Sequence, residues 1–153
     1  MSAVDVSKLQ TQPVRQNLGG TVLAVDDETG AARLRYVPGE HLKNSVGTIF
    51  GGYLAAIVDD AAGITAWFGG KKRRFATAQL TVKFLKPGKA GEALLAETRI
   101  TDMNAWRTVV EVKLRRESDD RETVTGTVVQ VFLREDAPAQ TAQEETGRND
   151  RDR

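Results

Sequence analysis

Gly51, Gly52 and Asp59, near the middle of the 153-residue chain, are residue types that could take part in hydrolysis of an acyl group. Hydrolysis of an acyl group needs a carboxylate that attacks or activates water, and donors for the oxyanion that develops. Glycine at a helix start lets a substrate come close to the backbone. The first amides of a helix have no internal partner and sit at its positive end. Asp59 falls within GGYLAAIVDDAAGITAWF, residues 51–68. That run is too long for an ordinary strand and apolar nearly all round, as expected of a helix enclosed by other structure. Gly69-Gly70 stops it. An acid in such a helix costs stability unless it has partners or a task. Asp60 points elsewhere and reads as structural, paired with an arginine.

Helix geometry then limits what one chain can do. Gly51 and Asp59 lie eight residues apart, about 12 Å along a helix, so one carbonyl cannot touch both. Two chains related by a two-fold axis can pair Gly51 of one with Asp59 of the other. The expectation is an obligate homodimer with shared sites. Gly52, Ala55, Ala56 and Gly63 on the same surface leave room for a substrate or a partner.

The elements that must hold this helix are legible in the periodicity. Thr21, Leu23 and Val25 alternate with Val22 and Ala24, and Ala32, Leu34 and Tyr36 alternate with Arg33 and Arg35, around an Asp26–Gly30 turn. After the helix come four more strands. Ala78, Leu80, Val82 and Phe84 share one face of the first, which Pro87-Gly88 ends; Leu94–Ile100, Arg107–Leu114 and Thr125–Leu133 follow. Thr101–Asn104 and Glu117–Asp120 read as hairpin loops. The fold class is therefore α+β: a curved antiparallel β-sheet wrapped around one long central helix. The predicted divisions are a flexible N-terminal arm over 1–16, a domain over 17–135 and a disordered tail over 136–153, which has almost nothing apolar to bury.

Composition removes several alternatives. The chain has no cysteine and a single histidine, His41, so thiolate chemistry and multi-histidine metal sites are excluded and no metal is expected. The net charge is +1, which gives no bulk attraction to nucleic acid. No apolar run reaches the ~18 residues of a membrane span, and the first residues lack a signal-peptide core. A cytoplasmic protein without membrane or nucleic-acid partners is expected.

The segment Asn44-Ser45-Val46-Gly47-Thr48-Ile49-Phe50-Gly51-Gly52, with YLAAIVDD after it, resembles the hotdog thioesterases of the phenylacetate-degradation type. Their pattern is an Asn, a His-Gly-Gly and an acid seven residues after the second Gly. Asn44, the Gly51-Gly52 pair and Asp59 match it, and Val82–Pro87 is similar to the family's strand ending in proline. Phe50 stands where the family usually has His. The resemblance covers about residues 19–134. It implies a hotdog fold and hydrolysis of an aromatic or medium-chain acyl-CoA, with Asp59 as base or nucleophile and the Gly51 and Gly52 amides as oxyanion donors. Coenzyme A is then part of the substrate, and no cofactor is needed. It further implies a homodimer that can pair into a dimer of dimers.

By the same resemblance, Thr77 falls where similar enzymes place a hydroxyl near the attacking water, and Asn44 positions that water or braces its loop. Phe50 packs in the acyl pocket or the core. Lys86, Lys89, Arg107 and the run Lys71-Lys72-Arg73-Arg74 are candidates for the coenzyme A phosphates. The run also suits a helix C-terminus, and it lacks the aromatic platform of a nucleic-acid site. His41 reads as a loop residue. Two other functions fit the fold: an acyl-CoA binder without turnover, which Phe50 keeps open, and an enoyl-thioester hydratase, which would want a histidine near Asp59.

Overall fold

The computed structural model describes residues 3–134. The tail expected over 136–153 lies outside the described residues, as do positions 1 and 2 of the expected arm.

The chain forms a short helix α1 (Pro13–Asn17), strands β1 (Gly20–Val25) and β2 (Ala32–Tyr36), a long helix α2 (Gly51–Gly69), and strands β3 (Phe75–Phe84), β4 (Leu94–Met103), β5 (Arg107–Arg116) and β6 (Glu122–Phe132). The six strands make one antiparallel sheet in the order β1-β2-β4-β5-β6-β3. α2 packs against every strand of it. This is the hotdog arrangement that the resemblance implies. It buries the apolar helix and one sheet face together, with Ile57, Val58, Ala61 and Ala62 against Leu34, Ala96, Val110, Val112 and Val128 at the centre. At Gly126 the helix and sheet come so close that an added Cβ would lie 2.5 Å from Val58 Cγ1, which is why β6 has glycine there.

Several details depart from simple alternation. In β1 the register shifts between Val22 and Ala24, so Val22 and Val25 are buried while Leu23 is exposed. The bulge supplies the extra residue that turns two hydrophobes of unequal parity inward. β6, by contrast, alternates strictly from Val124 on, with Val124, Gly126, Val128, Gln130 and Phe132 facing the helix. β4 continues through Met103 past a register shift at Ile100/Asp102, so most of the expected Thr101–Asn104 loop is strand. The run Lys71–Arg74 closes α2: the amides of Gly70, Lys71 and Lys72 take the carbonyls of Ala66, Phe68 and Trp67. To do so, Lys71 and Lys72 adopt φ of 57° and 61°.

Residues 3–16, read from the sequence as part of a flexible arm, are laid along the domain. Val4 donates to the Val25 carbonyl, and Gln10 exchanges hydrogen bonds with the Val22 backbone through both ends of its amide. The anchor is Arg15, only 1% exposed, which grips Asp60 of α2 through Nε and Nη2, both at 3.0 Å. A mostly polar segment holds here because a buried ion pair anchors it and Val4, Val6 and Leu9 pack against the core.

Candidate active site

α2 is enclosed on all sides but one. Gly52, Tyr53, Ala55, Ala56, Asp59, Asp60, Gly63 and Trp67 keep some exposure while the other residues from Leu54 to Phe68 are buried. Positions three, four, seven and eleven apart lie along one helix face. The open stripe therefore runs from the helix start, past the two acids, toward its C-terminal half.

On that stripe Asp59 is held by Thr77, whose hydroxyl donates to Asp59 Oδ1 at 2.8 Å. The other carboxylate oxygen has no protein donor among the described residues, so it is free to accept from water. Thr77 lies on β3, the edge strand beside this face, and pairs in register with Gln130 of β6. Gln130 is fully buried; its Oε1 accepts from Thr108, and its Nε2 has no partner among the described residues. Nothing in the alternation of β6 marked this glutamine as inward-facing, because β6 carries valines at both parities.

Asp60 points away from Asp59, as read. Its carboxylate receives Arg15 and the Tyr36 hydroxyl, the latter at 2.6 Å. Burial, with the adjacent Asp60 charge, pushes the Tyr36 phenol well above its ordinary pKa. Tyr36 therefore serves this carboxylate as a neutral donor. The two neighbouring acids are divided in role by what each meets: one meets a hydroxyl at an open face, the other a buried guanidinium.

At the helix start, Phe50 is the N-cap residue and no side chain caps the helix. The Phe50 carbonyl takes the amides of Tyr53 and Leu54. The Gly51 and Gly52 amides find no acceptor among the described residues, so both remain available to an external oxygen. Phe50 is not a core residue. It is 55% exposed, its ring lies over Gly52 and meets Tyr53 edge-on with centroids 6.0 Å apart. The Phe84 ring lies beside Gly51.

Asn44 braces its loop. Its Oδ1 accepts from the amides of Val46 and Thr48, and its Nδ2 donates to Thr48 Oγ1 at 2.9 Å. That loop leads directly into Phe50 and is tied to the β3–β4 connection by Ile49 donating to Gly88. Lys86 lies in the same connection, close in sequence to Phe84 at the helix start. Arg107 belongs elsewhere: it is exposed on β5, two strands from β3, and paired with Asp102. Arg73 lies over the Phe132 ring and donates to the Ala105 carbonyl. His41 contacts the Asn17 carbonyl in an exposed loop. The structure thus brings Asp59 and Thr77 together and puts Asn44, Phe50 and Lys86 around the other end of the stripe with the glycine pair. Within one chain the two ends stay separate. No cluster of metal-binding side chains occurs among the described residues, and no helix there is long and apolar enough to cross a membrane.

Comparison with known proteins agrees with this fold. No curated protein sequence matches the chain. Among solved structures, the chain is similar to a phenylacetic acid degradation-related protein from Ralstonia eutropha, at 29% identity and a TM-score of 0.70, over 79% of this chain and 91% of that one. The fold is also that of the PaaI protein of E. coli (17% identity, TM-score 0.74, 84% and 89% covered). It is likewise that of smu.793 from Streptococcus mutans, a structure bound to acetyl CoA (23% identity, TM-score 0.66, 74% and 89% covered). The Thioesterase superfamily profile matches residues 46–123, from the loop before α2 into β6, just over half of the chain. The chain therefore belongs to the thioesterase superfamily and is a thioester hydrolase on a hotdog fold.

Proposed function

We propose that the substrate is an acyl-CoA, that Asp59 is the catalytic base or nucleophile, and that the Gly51 and Gly52 amides stabilise the oxyanion. The observation that carries this reading is the Asp59–Thr77 hydrogen bond on the one open stripe of α2. Thr77 orients the carboxylate and leaves Oδ2 to take a proton from water or to attack the carbonyl carbon itself. The unpaired amides at the helix start meet the oxygen on which negative charge grows. The acetyl-CoA complex of the Streptococcus mutans relative supports coenzyme A as the leaving group, and Lys86 is the residue we propose for one of its phosphates.

The acid and the amides must come from two chains. Their eight-residue separation spans about 12 Å of helix. β3 supports such pairing: it is a ten-residue edge strand, exposed nearly throughout, with Leu80 and Phe84 uncovered, and an edge of that kind is a template for another strand. Two copies joined along β3 bring their open α2 stripes side by side.

Free-thiol release across a set of acyl-CoA esters tests the chemistry, with Asp59→Ala expected to remove most turnover. Unchanged turnover eliminates Asp59. Binding without thiol release in the wild-type chain would point instead to an acyl-CoA binder. Gly51→Pro removes one amide donor at a position where proline suits the first helical turn, and the extended backbone of Phe50 (ψ 130°) tolerates it. Each single variant should be nearly inactive. A mixture of the two, refolded together, should recover about a quarter of wild-type activity, because half of the dimers then hold one intact shared site. No recovery would refute the shared site.

A further inference from the structure

One turn beyond Asp59 on the open stripe, the chain has a cavity of about 290 Å³ that the chemistry above does not use. Its walls include Gly63, Ile64 and Trp67 of α2, Phe75 at the start of β3, and Leu9 of the N-terminal segment. We propose that this cavity receives the acyl group of the thioester, so that Gly63, Trp67 and Leu9 set the acyl size the enzyme accepts. The proposal rests on Asp59 as the catalytic carboxylate.

Continuity with the site is the first argument. Gly63 is four residues after Asp59, on the same helix face and about 6 Å further along. Phe75 is two residues before Thr77, on the same side of β3. The pairs Asp59–Thr77 and Gly63–Phe75 are therefore successive contacts between the same two elements. An acyl chain leaving a carbonyl held at Asp59 meets Gly63 next. A Cβ at Gly63 would stand 3.5 Å from the Phe75 ring, so any longer side chain there projects into the space.

The lining supplies the second argument. Leucine, isoleucine and two aromatic rings suit an apolar guest. The charged groups at the wall, Arg15 and Asp60, are committed to each other and to Tyr36. They hold the Leu9 side of the cavity against α2 and leave little to recruit a charged ligand. At about 30 Å³ per water-sized occupant, the cavity admits an acyl group of up to roughly ten non-hydrogen atoms. Hexanoyl and phenylacetyl groups fit; palmitoyl does not.

The test compares kcat/KM for acetyl-, hexanoyl-, phenylacetyl- and palmitoyl-CoA in the full-length chain and two variants. Gly63→Leu fills over a third of the cavity at the same ~30 Å³ per atom. Leu9→Trp narrows it from the N-terminal segment and covers the case in which the first variant does not fold. Each methylene kept out of an apolar pocket costs about fourfold. The room left in Gly63→Leu holds about five or six atoms at the same ~30 Å³ each, so one or two of the seven hexanoyl atoms are kept out: the hexanoyl-to-acetyl ratio should fall roughly 4- to 16-fold in Gly63→Leu and move the same way in Leu9→Trp. An unchanged ratio in both variants overturns the proposal. If the wild-type chain hydrolyses none of the esters, the catalytic reading fails by itself. The cavity is then judged by titration with the non-hydrolysable thioether hexyl-CoA. Binding weakened up to about fourfold in Gly63→Leu upholds it, and equal binding overturns it.

Discussion

Replacing Arg15 by methionine should be the most damaging single change outside the core, although Arg15 lies in a segment with no apolar pattern. Arg15 and Asp60 have side chains only 1% and 6% exposed. The Asp60 carboxylate receives three donors: Arg15 Nε, Arg15 Nη2 and the Tyr36 hydroxyl. Methionine fills much the same volume but leaves a buried carboxylate with Tyr36 as its one remaining donor. Stranding one member of a buried pair costs about 3–5 kcal/mol. For a domain of this size each kcal/mol lowers Tm by about 2–4 °C, so a fall of roughly 6–20 °C is expected. Calorimetry or thermal circular dichroism at one fixed protein concentration measures it, since stability that depends on association shifts with concentration. The double variant Arg15→Met with Asp60→Leu removes both charges and should regain most of the loss, because an apolar pair of similar volume often replaces a buried ion pair without cost. A Tm within about 2 °C of wild type for Arg15→Met would refute the reasoning: it would mean that the N-terminal segment does not bury this pair in solution. The same experiment separates the two acids, since Asp59→Ala should leave Tm almost unchanged while abolishing turnover.

Thr77→Val keeps the shape of the side chain and deletes its hydrogen bond to Asp59. A bond to a charged group is worth about 1.5–3 kcal/mol, so kcat should fall roughly 10- to 150-fold with little change in Tm, and an unaltered kcat would remove Thr77 from the site. Gly126→Ala forces a Cβ to within 2.5 Å of Val58; overpacking of this kind costs about 1–3 kcal/mol, which urea denaturation would register. Asp119 is held down to about 2 by hydrogen bonds from Arg116. A depressed carboxylate contributes fully above its unfolded pKa, near 3.8, and loses that contribution as pH falls toward 2. Asp119→Asn should therefore flatten the decline in stability between pH 4 and pH 2, and an identical decline would show that this turn does not contribute.

Much of this protein was legible without coordinates. The helix over 51–69 declared itself by an apolar run that no ordinary strand could hold, and the strands by alternation, because burial against a sheet imposes a period of two and burial on all sides imposes none. Asp59 stood out for the same reason: an acid in an apolar helix requires an explanation. Its separation from Gly51 followed from helix rise alone. What the sequence could not show depends on contacts between distant segments. Thr77 could be proposed only by resemblance; its hydroxyl reaches Asp59 because the chain order places β3 at the sheet edge beside α2. The bulges in β1, β3 and β4 change which parity faces inward, and Gln130 was concealed because β6 carries valines at both parities, so its alternation did not say which face meets α2. Arg15 looked like one more charge in a polar segment, and its partner lies 45 residues away. The cavity past Gly63 exists only where that segment, α2 and β3 meet. Local periodicity is written in neighbouring residues, whereas ion pairs and cavities arise from elements that meet only once the chain has folded.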